Sequence, residues 1–366
     1  MNRKYCKYTL AALFLALLFL PVPLNAIINN AKEQNLENRV FAELPVLSID
    51  TVSSFPRAYE TYYSDHQPFR EQLIFTRALL SKLLYNRDIS HKVLFGKEGW
   101  LYYCSGNDGV PIADYRGETA FTERELRQIA SDLMKTHSAL KKIGCEFVLF
   151  IAPNKERVYS EYMPDRFGAP SETYAARQLV RYLKRHSTVK VVYPYDELMQ
   201  AKQDFPDIDV YYPRDTHWNY VGSYIGTREL MKQLDIEFPE LTRDMIRQSE
   251  PNRVGDLSIL AHLEACLPKD VDYAVTNPDG LAFAGPVAAG EARNKNIFLC
   301  RDSFGEYMED YLFTCFSRED SAVTVLSLND ELIDQIRPDV FVFETVERYL
   351  RMRLLAGPLY RSPEDR

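Results

Sequence analysis

From residue 145 onward, short wholly apolar runs alternate with longer stretches whose apolar residues return every three or four positions. CEFVLFIAPNK (145–155) reads as a buried strand from Phe147 to Ala152, closed by Pro153. VKVVYPYDEL (189–198), NIFLC (296–300), SAVTVLSL (321–328) and the VFVFE of PDVFVFETVERYL (338–350) read as further strands. Between them the period changes. Thr122, with Glu125 three residues on, has the capping-box pattern and opens a helix to about Lys142 that Gly144 ends. Ser171 caps a second helix in SETYAARQLVRYLKRH (171–186). RDTHWNYVGSYIGTRELMKQL (214–234) enters a helix after Asp215, and EYMEDYLFTCF (306–316) and DELIDQI (330–336) also look helical. Upstream, HKVLFGKEGWLYY (91–103) predicts strand, glycine-marked turn and strand, with its aromatics in the hairpin core. Residues 71–90 have helical spacing, 29–70 read as a polar irregular arm, and 236–296 show no strong periodicity.

Strands that are apolar throughout, separated by amphipathic helices, predict an α/β fold: a three-layer parallel sheet flanked by helices. Ligand-binding groups in such sheets collect just beyond the carboxyl ends of strands. That rule draws attention to Asn154 and Lys155, Tyr195 and Asp196, Arg301 to Ser303, Ser327, and Glu344 to Arg348.

The N-terminus adds a different signal. Arg3, Lys4 and Lys7 precede an apolar run from Leu10 to Leu20, followed by Pro21, Val22, Pro23 and Leu24. Tyr8 to Leu24 approaches the lower limit of about 17 residues for a membrane span. Leu24-Asn25-Ala26 is an imperfect cleavage site, so an uncleaved signal-anchor is expected, with the basic flank inside and the rest of the chain exported to the periplasm or the cell exterior. The expected organisation is an anchor at 1–28, an arm and helix at 29–100, and the α/β domain at 101–366.

Composition narrows the partners. A net charge of −8 argues against nucleic acid, which needs a basic surface. Beyond Cys6, five cysteines remain, an odd number that completes no disulfide framework, and Cys145 and Cys300 border strands as buried thiols. No Cys/His spacing suits zinc, and neither a metal nor an organic cofactor is expected.

One strand end carries chemistry. In FLCRDSFGE, Ser303 follows a buried strand directly, at the turn into a helix whose amides can help stabilise an oxyanion. A serine hydroxyl needs a base, and His217 in DTHWNY (215–220) can supply one, with Asp215 orienting the imidazole. Taken singly, Ser303 and Asp215 could each be a helix N-cap. Together the three fall at carboxyl-end positions of one sheet, which favours a catalytic reading. Lys155 and Tyr159 either bind a sugar or carboxylate or are solvated, and Trp218 is either a sugar platform or packing for its loop. Asp302 caps the serine helix, Glu344 and Arg348 form a local ion pair, and His66 and Arg70 are structural.

DTHWNYVGSY with FLCRDSFG resembles the SGNH-hydrolase-like domain of the AlgX/AlgJ family of alginate O-acetyltransferases. SDHQPFR (64–70), VLFGKEGWLYY (93–103), APNKERVYSEYMP (152–164) and PDVFVFETVER (338–348) fit the same family. The Asp/His segment precedes the serine, which resembles that family's circular permutation of the ordinary SGNH order. The resemblance implies Ser303 as nucleophile, His217 as base and Asp215 as orienter. It implies an O-acetyltransferase acting on a cell-surface or secreted polysaccharide. It also implies a multi-pass membrane-bound O-acyltransferase-type protein as acyl donor. A polysaccharide acetylesterase and an inactive scaffold of a polysaccharide-modification complex are the alternatives. The family commonly has Gly where this chain has Arg301, a residue that would be strained at positive φ, and the Gly and Asn of an ordinary SGNH oxyanion hole are not evident.

Overall fold

A computed structural model describes residues 8, 9, 12, 14–16, 40–66, 70–87, 91–104, 109–276, 294–312, 314–323 and 330–365. The chain forms two compact units, Met1–Ile89 and Ser90–Arg366. The anticipated membrane segment falls almost wholly outside the described residues. Among the described residues no helix is long and apolar enough to cross a membrane.

In the first unit the stretch read as an irregular arm contains a helix, Phe55–His66, followed by the helix Arg70–Tyr85. The first is polar overall and buries little apolar surface. Aromatic pairs one turn apart support it instead, Phe55 on Tyr59 at 5.8 Å and Tyr62 on His66 at 4.3 Å. Asp65 is buried there and accepts a hydrogen bond from the Ala42 amide at 2.9 Å.

The second unit opens with a hairpin, β1 (Val93–Phe95) with β2 (Leu101–Tyr103). Its centre is a sheet of five parallel strands: β3 (Glu146–Ala152), β4 (Lys190–Val192), β7 (Asn296–Arg301), β8 (Arg318–Val323) and β9 (Val340–Val346). Across the sheet they run in the order β4-β3-β9-β7-β8. An antiparallel pair, β5 (Ile246–Gln248) with β6 (Tyr273–Val275), lies in the segment without periodicity.

The central strands are apolar on both faces because both faces are covered. Val148, Phe150 and Ala152 of β3 enter one core, and Phe147, Leu149 and Ile151 enter the other. On the second face lie Glu123–Lys142, through Leu126, Ile129 and Leu133, and Ala175–His186, through Leu179 and Leu183. On the first face lie Tyr220–Gln233, through Val221, Tyr224 and Ile225, and Ser303–Leu312, through Phe304, Met308 and Tyr311. Each such side chain contributes about 1.5–3 kcal/mol when fully buried.

The capping box forms as anticipated: the Glu125 amide donates to Thr122 Oγ1 at 3.2 Å and the Thr122 amide to Glu125 Oε2 at 2.8 Å. Three boundaries differ from the sequence reading. Ser171 does not cap its helix, which starts at Ala175, because its hydroxyl donates instead to the Thr173 carbonyl. The strand in VKVVYPYDEL stops at Val192, and Pro194 leads into the helix Tyr195–Asp204. The helix after DTHW starts at Tyr220, capped by Asn219, whose Oδ1 accepts from the amides of Val221 at 2.9 Å and Gly222 at 3.1 Å. Cys145, Cys300 and Cys315 are buried.

Candidate active site

Strand β7 ends at Arg301, and the helix begins two residues later at Ser303. Asp302 makes that turn rigid. Its Oδ1 accepts the Phe304 amide at 2.9 Å, an N-cap bond, and its Oδ2 accepts the Val346 amide at 2.7 Å from the end of β9. Its own amide donates to Glu344 Oε2 at 2.9 Å. Glu344 therefore makes no ion pair with Arg348, contrary to the sequence reading. It lies within β9, facing the serine helix, whereas Arg348 lies beyond the strand in the turn Glu347–Tyr349. Burial raises the Glu344 carboxyl well above its ordinary range, and the charge of Asp302 adds to this. Arg301 is not strained. It is not among the residues with positive φ, and its guanidinium donates to Glu309 at 2.6 and 3.3 Å.

The Asp/His segment is a tight loop closed by a bridge between Tyr211 and Trp218. A buried lysine fills it. Lys155 Nζ donates to the carbonyls of Leu101 at 2.7 Å, Pro213 at 2.8 Å and Asp215 at 2.8 Å. Burial pushes this ammonium down to about 8, with the charges of Asp270, Glu156 and Asp215 opposing. The three carbonyls also favour the charged form, because only the ammonium has an N–H for each. From outside, Thr216 bonds both oxygens of Asp256, through its amide at 2.7 Å and its hydroxyl at 2.6 Å. Asp270 accepts the Arg214 amide at 2.9 Å and its guanidinium at 2.6 Å. Two glycines permit this closeness. A Cβ on Gly255 would lie 2.1 Å from the Arg214 carbonyl oxygen, and one on Gly222 would lie 2.2 Å from that of Val210.

Across this geometry His217 Nε2 lies 2.7 Å from Ser303 Oγ, and His217 Nδ1 lies 2.7 Å from Asp215 Oδ1. The partners assign the tautomer: Nδ1–H donates to the carboxylate, and Nε2 accepts from the serine hydroxyl. Ser303 is exposed, His217 is half-buried and Asp215 is 2% exposed. Burial alone would raise the Asp215 carboxyl. The hydrogen bond and charge of His217, with Arg253 at 3.4 Å, outweigh it and hold the group far below its usual range. For His217, burial opposes the cation, but the bond to Asp215 and the charges of Asp215 and Asp256 raise it above its ordinary value. The imidazole also packs on Phe304 at 4.9 Å and Tyr307 at 5.9 Å between ring centres. The arrangement can take a proton from a nucleophilic hydroxyl and stabilise the imidazolium that results. The Ser303 N–H, in the first turn, has no intrahelical acceptor and can face an oxyanion.

Lys155, Tyr159 and Trp218 are not placed to touch a sugar, because they are only 2%, 3% and 0% exposed. They support the site instead. Tyr159 OH accepts the Val210 amide at 2.8 Å, and Trp218 Nε1 donates to the Phe304 carbonyl at 3.0 Å. Arg253, Asp256 and Asp270 escape the sequence reading because they lie in the segment without periodicity. Asp256 brings a third ligand atom within 4.8 Å of those of Asp215 and His217. All three are already committed, Asp256 to Thr216 and Asp215 to His217, so the cluster works as a hydrogen-bond network.

Comparison with known proteins finds relatives of this chain. Residues 93–300 match the SGNH hydrolase-like domain of the acetyltransferase AlgX, a match that stops short of Ser303. The probable alginate O-acetylase AlgJ of Pseudomonas syringae pv. tomato is 27% identical over 262 residues, covering 69% of this chain and 61% of that protein. Among solved structures, PatB1 of Bacillus cereus with a sulfonyl adduct superposes with a TM-score of 0.50 at 13% identity, over 74% of this chain and all of that one. The O-acetyltransferase domain of Pseudomonas putida AlgJ gives 0.44 at 18% identity, over 71% of this chain and 92% of its own. At 13% identity the PatB1 structure speaks for the fold alone. With more than half of its residues matched, the chain belongs to the family of SGNH hydrolase-like domains of the AlgX acetyltransferase type.

Proposed function

We propose that this chain is an O-acetyltransferase that carries an acetyl group on Ser303 and passes it to a hydroxyl of a cell-surface or secreted polysaccharide. The observation that carries the reading is the unbroken run of hydrogen bonds from Ser303 Oγ through His217 to Asp215, with the serine exposed at a strand end. In the first half-reaction Ser303 Oγ adds to the acetyl carbonyl carbon as its proton moves to His217 Nε2. The carbonyl electron pair moves to oxygen, then returns as the donor's leaving group departs with the proton from His217. In the second half a sugar hydroxyl gives its proton to His217 and attacks the acyl carbon, and Ser303 Oγ leaves with that proton taken back from His217. The donor would be a membrane-bound O-acyltransferase-type multi-pass protein. The basic and apolar segment within residues 1–28 would hold the domain to the membrane, outside the cytoplasm.

The exposure of Ser303 favours a second reading, in which water takes the acetyl group and the protein is an acetylesterase. One experiment separates them. The protein is treated with p-nitrophenyl acetate, the adduct is mapped by mass spectrometry, and an oligosaccharide acceptor is added. An acetyl group on Ser303 that moves to the acceptor supports transfer. Release only as acetate supports hydrolysis. No adduct, or the same adduct in Ser303→Ala, overturns both.

A further inference from the structure

Among the described residues no second oxyanion donor is evident beside the Ser303 amide, and Glu344, near the end of β9, already accepts from the Asp302 amide. Just beyond the same strand stands a cation with a donor to spare. Arg348 follows β9, whose last residue, Val346, is bonded through its amide to Asp302, the residue before Ser303. The Arg348 Nε is buried and has no hydrogen-bond partner among the described residues. The side chain rests instead on aromatic faces, its guanidinium carbon 5.3 Å from the centre of Phe304, 5.2 Å from Tyr349 and 5.9 Å from Tyr103. Phe304 follows the serine and also packs on the His217 ring at 4.9 Å. Through that one ring, guanidinium and imidazole are no further apart than the sum of two short contacts. Buried donors in native proteins are nearly always satisfied, so one left open against the ring of Phe304, the residue after Ser303, invites an acceptor that arrives with the substrate.

We infer that Arg348 is a catalytic residue, its guanidinium donating to the oxyanion that forms on the acyl carbonyl when Ser303 attacks. This rests on the acyl-serine reading above. Arginine suits such a role because it stays charged throughout the working pH range and is planar, with donors in a fixed fork. The aromatic faces hold the cation without neutralising it, as a carboxylate in direct contact would. The acids that act on it do so from the flanks: Glu156 after β3, Asp302 before the serine and Asp256 beside the histidine loop. Charge developing on the carbonyl oxygen would meet two kinds of donor, the Ser303 amide at the helix start and the Arg348 side chain. Both are oriented before the reaction begins.

The test is single-turnover acetylation of Ser303 by p-nitrophenyl acetate in wild type, Arg348→Met and Arg348→Lys, each corrected for folded fraction by near-ultraviolet circular dichroism. Arg348→Met should slow acetylation by about 100- to 1,000-fold, the usual cost of one oxyanion donor. Arg348→Lys, which keeps the charge and loses the fork, should fall between the two. A second readout separates catalysis from packing. The positive charge of Arg348 lowers the His217 pKa, so the acidic limb of the Arg348→Met profile should move to higher pH. If folded Arg348→Met acetylates at the wild-type rate, the inference is wrong. If it acetylates normally but fails to transfer to an oligosaccharide, Arg348 serves the acceptor and the inference is again wrong. If wild type itself takes no acetyl group, the acyl-serine reading has failed, and this inference falls with it.

Discussion

Lys155→Met gives a sharp test of how the histidine loop is held. The substitution keeps most of the side-chain volume and removes the ammonium that the carbonyls of Leu101, Pro213 and Asp215 share. The Leu101 and Asp215 carbonyls, left without a donor, cost about 1–3 kcal/mol each, and the Pro213 carbonyl, which keeps the Leu101 amide at 2.9 Å, loses a bond to a charged donor worth about 1.5–3 kcal/mol, so the three together cost about 3.5–9 kcal/mol. Against this stands relief from burying a charge. The fall of the lysine from 10.5 to about 8 corresponds to about 3 kcal/mol, at about 1.4 kcal/mol for each tenfold change. The net expectation is a loss of about 3 kcal/mol, a large share of the roughly 5–15 kcal/mol typical of a folded domain. Urea unfolding at pH 7 measures it as a lower midpoint at constant slope. Activity should suffer further in the molecules that remain folded, because Asp215 and His217 are part of the released loop. A displacement of about 1 Å at such a site costs about 100-fold in rate. A loss of stability below about 1 kcal/mol, with acetylation intact, would refute the idea that the ammonium organises the loop.

Two further expectations follow from the same loop. His217 must be neutral to act as base, so acetylation is lost as pH falls through its folded pKa, which lies above the ordinary 6.5. Asp215 and Asp256 raise that value, whereas burial and Arg348 lower it, so Asp256→Asn should shift the acidic limb to lower pH in a pH–rate profile. An unmoved limb would mean that the charge of Asp256 does not reach the imidazole. Gly222→Ala places a methyl group 2.2 Å from the Val210 carbonyl oxygen, so the helix Tyr220–Gln233 must shift away from the loop. It should lose about 1–3 kcal/mol in urea unfolding, and a change within about 0.5 kcal/mol would show the backbone gives way freely.

Much of the sheet is readable because burial on both faces leaves a mark that needs no context. Phe147 to Ala152 and the VFVF of β9 are apolar at every position, and only a covered parallel strand requires that. The approach of Ser303 and His217 is also legible, since both sit where strand ends gather chemistry. The rest depends on partners far apart in the chain. Lys155 reads as a surface residue until carbonyls from residues 101, 213 and 215 meet around it. Arg253, Asp256 and Asp270 hold the loop through side-chain hydrogen bonds from a stretch whose sequence has no period to detect. Taken alone, Asp215 could equally be a helix cap, because Asp commonly is one. Asn219 takes that role instead, leaving the carboxylate free for the imidazole.

The indole of Trp218 grips the peptide oxygen of Phe304, so the neighbour of the base is fastened to the neighbour of the nucleophile across 86 positions of chain. This clasp involves neither reacting atom. In the proposed acyl-enzyme Ser303 has no hydroxyl hydrogen to give the imidazole, and the link between the two side chains disappears. The clasp persists, and the imidazole stays within reach of the loaded ester while the next hydroxyl arrives.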